Sequence, residues 1–349
     1  MRARAPFRVR NNQFAAGAVA FILVWIGCLH GCEKKEPNGR QASIAVFQLY
    51  VSGVMVAADQ SDRVASGRDC FGAAGLRATL IKRSKGPEIV DALVGGSADF
   101  GTLAITPVVL QILQGSDLVI FATIQTTDHD IKVIGHRTSG VKDGASLNAK
   151  RVGYVGGTFG EIFLDRYLEK HELTRSDIRL TSAGPAQLRD LFLARSLDAI
   201  IIWEPTVQDI LADSTTQREE IFLDIDTTLY TGRMNLVATP QVLQQKREEA
   251  VRLVTSLICG EELIAEHSEK VRATLENWLD RSPGTLKNVF DKDTFHVELD
   301  VPALLDNLRT EAAWANRSIF GNKAKIPEDF SFYVDSSIME SVASDRVRR

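Results

Sequence analysis

Two residue pairs in the middle of the chain are placed to do binding chemistry. Thr158 and Glu161 follow Gly156-Gly157 at the spacing of a helix capping box, Thr at the N-cap and Glu three residues on. A helix that begins there leaves the backbone N–H groups of Thr158 and Phe159 free for a small anionic or polar group. Trp203-Glu204 closes an apolar run just before Pro205, and an indole wall beside a carboxylate suits a ligand with a flat or cationic part. The same residues also read as a plain helix cap, a core Trp and a Glu ahead of a helix, and both readings stay open. The matching edge on the N-terminal half is Tyr50 and Ser52 in Tyr50-Val-Ser-Gly53, with Thr102 to Thr106 further along.

Bond-breaking chemistry has less support. Gly96 to Thr102 resembles a phosphate loop but lacks the Lys before Ser/Thr, and Gly153, Gly156, Gly157 and Gly160 do not form a dinucleotide fingerprint. No nucleophile elbow is present. The six His are scattered without ligand spacing, so neither a metal nor a cofactor is expected.

The elements that position these residues alternate. Strands are predicted at Ser43–Tyr50, Leu76–Lys82, Leu118–Thr126, Ile131–His136, Val152–Val155, Ile178–Thr181 and Leu197–Trp203, and a short one near Gly101. Helices are predicted at Val54–Ala65, Pro87–Val94, Pro107–Leu113, Ile162–Leu173 and Pro185–Ala194. This alternation points to parallel, doubly wound sheets. Tyr230–Ala238 reads as a return crossing, after which helices follow at Glu248–Glu266, Ser268–Leu279, Leu286–Phe290 and Val301–Asn316. Phe330, Phe332 and Tyr333 are expected to dock the tail on a domain surface.

Residues 1–31 carry Arg2, Arg4, Arg8 and Arg10, no acid, and an apolar run from Phe14 to Leu29, the pattern of a signal peptide. Leu29-His30-Gly31-Cys32 resembles a lipobox, which predicts lipidation at Cys32; Glu33 after it fits sorting to an outer membrane. A polar tether spans 32–42. Without the signal, the formal charge of −4 becomes about −8, which argues against nucleic acid as a partner. Cys70 and Cys259 are read as two unpaired buried thiols, although an oxidising compartment would also permit a bond between them.

Several motifs then coincide in order. Gly75-Leu76 precedes the second strand; Glu88 to Gly101 reads EIVDALVGGSADFG; Gly140-Val-Lys-Asp143 leads to Leu147-Asn-Ala-Lys-Arg-Val-Gly153; and Leu191 to Pro205 reads LFLARSLDAIIIWEP. With AAWANRSIFG and FYVDSSIMESV near the end, residues 43–342 resemble the substrate-binding proteins of ABC importers for sulfonates, nitrate, taurine and thiamine-pyrimidine precursors. Two departures fall at Ser146-Leu-Asn-Ala149, where the family pattern has Asp-Leu-Lys-Gly, and at Arg195-Ser-Leu197, where it has Gly-x-Val.

The resemblance implies a two-lobed α/β periplasmic-binding-protein fold of type II, with residues 43–127 and 235–349 in lobe 1 and 128–234 in lobe 2. Thr126, Thr127, Met234 and Asn235 are the implied hinge, and Tyr50, Ser52, Thr102, Thr106, Thr158, Phe159, Glu161, Trp203 and Glu204 the implied ligand contacts. It further implies an exported monomer that hands a small polar solute to an ABC permease, anchored to the membrane by its lipid. Glu161 and Glu204 suggest an amine or ring N–H on the solute, as in an aminosulfonate or a pyrimidine. Enzymes occur on the same scaffold, a thiamine-pyrimidine synthase and a sulfinate-cleaving hydrolase, but they need a reactive His or Cys that the first loop lacks. A ligand sensor for a separate membrane partner is the third reading.

Overall fold

The computed structural model describes residues 40–47, 69–290 and 294–349. The signal segment, Cys32, most of the tether, Tyr50, Ser52 and the helix predicted at Val54–Ala65 lie outside the described residues. Among those described, two five-stranded sheets organise the chain.

The first sheet contains β1 (Arg40–Phe47), β2 (Leu76–Arg83), β3 (Phe100–Leu103) and β4 (Val119–Thr127). The second contains β5 (Ile131–His136), β6 (Arg151–Tyr154), β7 (Arg179–Ser182), β8 (Ala199–Trp203) and β9 (Ile221–Asp224). The chain then returns to the first sheet as β10 (Gly232–Ala238). β1 starts at Arg40, earlier than Ser43, so the end of the predicted tether belongs to the strand.

The spatial orders are β2-β1-β3-β10-β4 and β7-β6-β8-β5-β9. They are the same arrangement twice. In each, the fourth position runs antiparallel to both neighbours, β10 against β3 and β4, β5 against β8 and β9. The other pairings, β1 with β2 and β3 and β6 with β7 and β8, are parallel. The expectation of wholly parallel sheets is therefore corrected by one strand in each. Both reversed strands come directly out of a crossing from the other sheet, so each enters from the opposite direction to a strand fed by its own lobe's helices.

Local sequence explains the elements. The edge strand β4 is buried over Val119–Gln125 and the central strand β8 throughout, as continuous apolar runs covered on both faces should be. Helices Gly86–Val94 and Pro185–Leu193 carry Pro in the first turn, where its missing N–H has no helical partner to lose. The Phe159–Lys170 helix buries Phe159, Ile162, Phe163, Tyr167 and others on one face. The two helices predicted around residue 267 form one long element, Arg247–Trp278, broken at His267 by non-helical backbone (φ −139°, ψ 37°).

Lobe 1 is completed by the chain's end. The Val301–Ser318 helix packs beside Ile105–Leu113, and Val347–Arg348 pairs with Leu299–Asp300. Phe330 docks as expected with 1% exposure, whereas Phe332 stands 78% exposed and takes no part in that docking. Cys70 and Cys259 form a disulfide, not two free thiols, with Cα atoms 5.8 Å apart. The short Cys70–Ala73 helix lies against the long helix, and Arg252 Nη1 donates to Ala74 O across the same contact at 2.5 Å. Spacing could not reveal this bond, because it joins positions 189 residues apart.

Candidate functional site

The site lies where the crossings pass between the sheets. β4 ends at Thr127 and β5 begins at Ile131; β9 ends at Asp224 and β10 begins at Gly232. Beside these crossings is a solvent-open pocket, about 410 Å³ with the solvent space at its mouth included, lined by Ala104, Gln125, Asp130, Phe159, Tyr230 and Met234 among others. A neighbouring cavity of about 210 Å³ shares Ala104, Phe159 and Met234 and adds Phe47, Thr102 and Thr158. The larger draws strand residues from both sheets, and the smaller joins strands of the first sheet to the start of the Phe159–Lys170 helix, a placement where open α/β proteins hold ligands.

Phe159, at the start of its helix, is the wall common to both cavities. Behind it lies Trp203, 2% exposed, with ring centroids 4.8 Å apart. A Cβ on Gly160 would come within 3.3 Å of the indole, so the glycine lets the helix N-terminus sit on Trp203. Tyr230 stacks on the Phe159 ring at 6.1 Å and 13°. Its own hydroxyl donates to Glu311 Oε1 at 3.2 Å.

The helix N-terminus is closed by its own side chains. Thr158 Oγ1 accepts from Gly160 N–H at 3.2 Å, and Glu161 Oε2 accepts from Gly157 N–H at 2.8 Å. The predicted reciprocal box is thus displaced by one residue on both sides, Thr158 bonding Gly160 in place of Glu161 N–H and Glu161 bonding Gly157 in place of Thr158 N–H. Glu161 is 6% exposed and its other oxygen takes Arg175 Nη1 at 3.0 Å.

Glu204 is fully buried and pairs with Lys132 Nζ at 2.7 Å; Gln208 donates to it from both backbone and side chain. Thr102 Oγ1 accepts from Phe47 N–H at 2.9 Å while lining the smaller cavity. Thr106 donates to Glu311 Oε2 at 2.5 Å. Of the sequence-named contacts within the described residues, Phe159, Thr102 and Thr158 line these two cavities; Thr106, Glu161, Trp203 and Glu204 line neither and form the layer behind them. Thr126 and Thr127 end β4 opposite Arg233 and Gly232, and Thr127 reaches the larger cavity; Met234 and Asn235 lie on β10 at a shift in register.

Sequence reasoning missed Gln125 and Glu311. Gln125 is 1% exposed, and neither its Nε2 nor its Oε1 has a hydrogen-bond partner. An amide between Thr123 and Thr127, in a strand whose other polar residues are all threonines, was the available signal. Glu311 is 2% exposed, and burial pushes its carboxyl up to about 7 against the pull of Thr106, Arg166 and Tyr230. Burial, and after it the Glu311 charge, likewise raises the Tyr230 phenol.

A search of known proteins gives this geometry relatives. A protein of Brucella abortus (strain 2308), named only as a binding protein, is 25% identical over 209 residues, 60% of this chain and 57% of its own length. The chain therefore matches little more than half of that relative. The periplasmic aliphatic sulphonate binding protein SsuA from Escherichia coli superposes with a TM-score of 0.69 at 18% identity, covering 82% of this chain and 94% of its own. The periplasmic nitrate-binding protein NrtA from Synechocystis PCC 6803 gives 0.69 at 11% identity over 88% and 89%. At such identities the likeness is one of fold, the periplasmic binding protein fold. The family model described as NMT1/THI5 like matches residues 63–271, more than half of the chain, and the protein belongs to that family.

Proposed function

We propose that the protein is a solute-binding component of an ABC importer, which closes its two lobes on a small polar molecule and presents it to a permease. The observation that carries this reading is the cavity at the crossings, with the unbonded amide of Gln125 buried in its wall. Family membership and the folds of sulphonate- and nitrate-binding proteins support it. Closure turns about residues 128–130 and 225–231, with Thr126, Thr127, Met234 and Asn235 at their lobe 1 edge. Thr102, Thr158 and Phe159 touch the solute, joined by Tyr50 and Ser52, which lie outside the described residues. Thr106, Glu161, Trp203 and Glu204 hold those contacts in place.

The role is capture, not catalysis. Among the described residues lining the two cavities there is no Cys, His, Ser or Lys, which supports this reading. The signal-like start and Cys32 support export, with a lipid at Cys32 tethering a monomer to the membrane.

A thermal-shift screen of the full-length protein against sulfonates, nitrate, amines, amides and pyrimidines tests the reading. A solute at about 100 times its dissociation constant adds about 2.7 kcal/mol of stability. A saturable shift with the compound recovered intact supports solute capture. Turnover of the compound, or silence across all classes, counts against it.

A further inference from the structure

Two buried amides on adjacent strands of lobe 1 are treated in opposite ways. Asn235 on β10 is fully engaged: its Oδ1 accepts from Thr123 Oγ1 at 2.8 Å, and its Nδ2 donates to Leu103 O at 3.2 Å and Arg233 O at 3.1 Å. Gln125 on β4, opposite Met234, is as deeply buried and bonds nothing through either end. A buried amide with both ends unbonded destabilises the fold unless a partner reaches it. Gln125 lines the larger cavity, so the partner it lacks within the chain has a place to sit.

The charges nearby indicate what kind of partner fits. At the helix N-terminus the N–H groups of Gly157 and Gly160 already donate to Glu161 and Thr158, so an anion there would have only the N–H groups of Thr158 and Phe159 to seek. The Glu161 carboxylate is itself the anion there. Lys132 is neutralised by Glu204 at 2.7 Å, and Arg233 Nη1 donates to Asn307 at 2.7 Å. The larger cavity's ionisable lining is Asp128, Asp130 and Arg233, two carboxylates to one guanidinium. The remaining lining, Ile131, Phe159, Phe163, Tyr230 and Met234, favours a flat, apolar-bodied molecule.

We infer that this cavity takes an uncharged planar group presenting an acceptor beside a donor, as a carboxamide, lactam or urea does, and that Gln125 selects it. The ligand carbonyl accepts from Gln125 Nε2 while its N–H donates to Gln125 Oε1, a pair of parallel bonds that neither a sulfonate nor a nitrate can form, since both only accept. The inference rests on the solute-capture reading and adds the chemical class.

Isothermal titration of the full-length protein with benzamide and 2-piperidone, against benzoate, benzenesulfonate and nitrate, tests it. The two amides are expected to saturate, with the anions weaker by about tenfold or more. Gln125→Met removes the amide at similar volume. It is expected to leave the melting temperature of the unliganded protein unchanged or higher, and to weaken amide binding by about tenfold or more. Asn235→Leu, which strands the bonded partners of Asn235, is expected to lower the melting temperature.

If Gln125→Met melts lower and binds amides as before, Gln125 is structural and the inference falls. Binding of benzenesulfonate or nitrate in preference to the amides also overturns it, while leaving solute capture intact. Saturation by none of the five probes overturns the inference, and the wider thermal-shift screen then decides solute capture on its own.

Discussion

The phenol of Tyr230 donates to Glu311 at 3.2 Å, which ties the wall of the ligand cavity to the C-terminal helix of lobe 1. Glu311 titrates at about 7, chiefly because burial disfavours its charge. The folded chain therefore keeps a proton that the unfolded chain has released between about pH 4.5 and 7. By linkage, stability falls as pH rises through that window and the loss is complete above it, of the order of 3 kcal/mol. Glu311→Gln should flatten this slope and raise the urea midpoint at about pH 8 relative to the parent protein. Parallel slopes for the two proteins would show that Glu311 is not the titrating group.

Lys132 and Glu204 are both buried, and each neutralises the other. Glu204→Ala leaves the Lys132 ammonium without its counter-charge and should cost about 3–5 kcal/mol. The double replacement Lys132→Met with Glu204→Leu should recover most of that loss, because an apolar pair restores packing without an unpaired charge. A double-mutant cycle by chemical denaturation measures both steps. Additive losses would mean the pair is not coupled.

The Cys70–Cys259 bond ties the start of lobe 1 to its long helix. Cys70→Ala with Cys259→Ala is expected to lower stability by about 2–5 kcal/mol. The same fall should appear when the parent protein is unfolded in reductant, and the double variant should be indifferent to reductant. Thiol titration of the denatured, unreduced chain is expected to find no reactive sulfur at these two positions.

Ala149 has φ +59° and Arg195 φ +55°, both in the left-handed region. They are also the two positions where the sequence departs from a glycine in the family pattern. A Cβ there costs about 1–2 kcal/mol. Ala149→Gly should therefore stabilise lobe 2 by about 1 kcal/mol, less the added freedom of glycine in the unfolded chain. Arg195→Gly should gain less, since it also removes the bonds from Arg195 to Thr138 and Glu220. Melting curves of the two variants check the sign and the order.

Much of the fold was legible because apolar runs and Gly/Pro punctuation record local structure. Strand β5 begins and ends where the sequence places it, and the break at His267 falls between the two helices read there. Strand direction was not legible, since nothing in Ile131–His136 or Gly232–Ala238 says which way its neighbours run. The site was half visible. Trp203 and Glu204 were found at the end of a strand, but their burial depends on Phe159 and on Lys132 of a different strand. Gln125 stood in plain view, yet what marks it is the lack of a partner, and only coordinates can count partners.

The placement of β10 between β3 and β4 carries a consequence for how the protein comes into being. Lobe 2 is one uninterrupted stretch of chain and can assemble as soon as it has been synthesised. Lobe 1 cannot: β3 and β4 have no hydrogen-bonded contact with each other until residues 232–238 arrive to fill the gap. The first lobe to be made is thus the last to be finished. Until then the edges of β3 and β4 that face the gap are unpaired, and this nascent half of the molecule is the one most in need of protection from pairing with other chains.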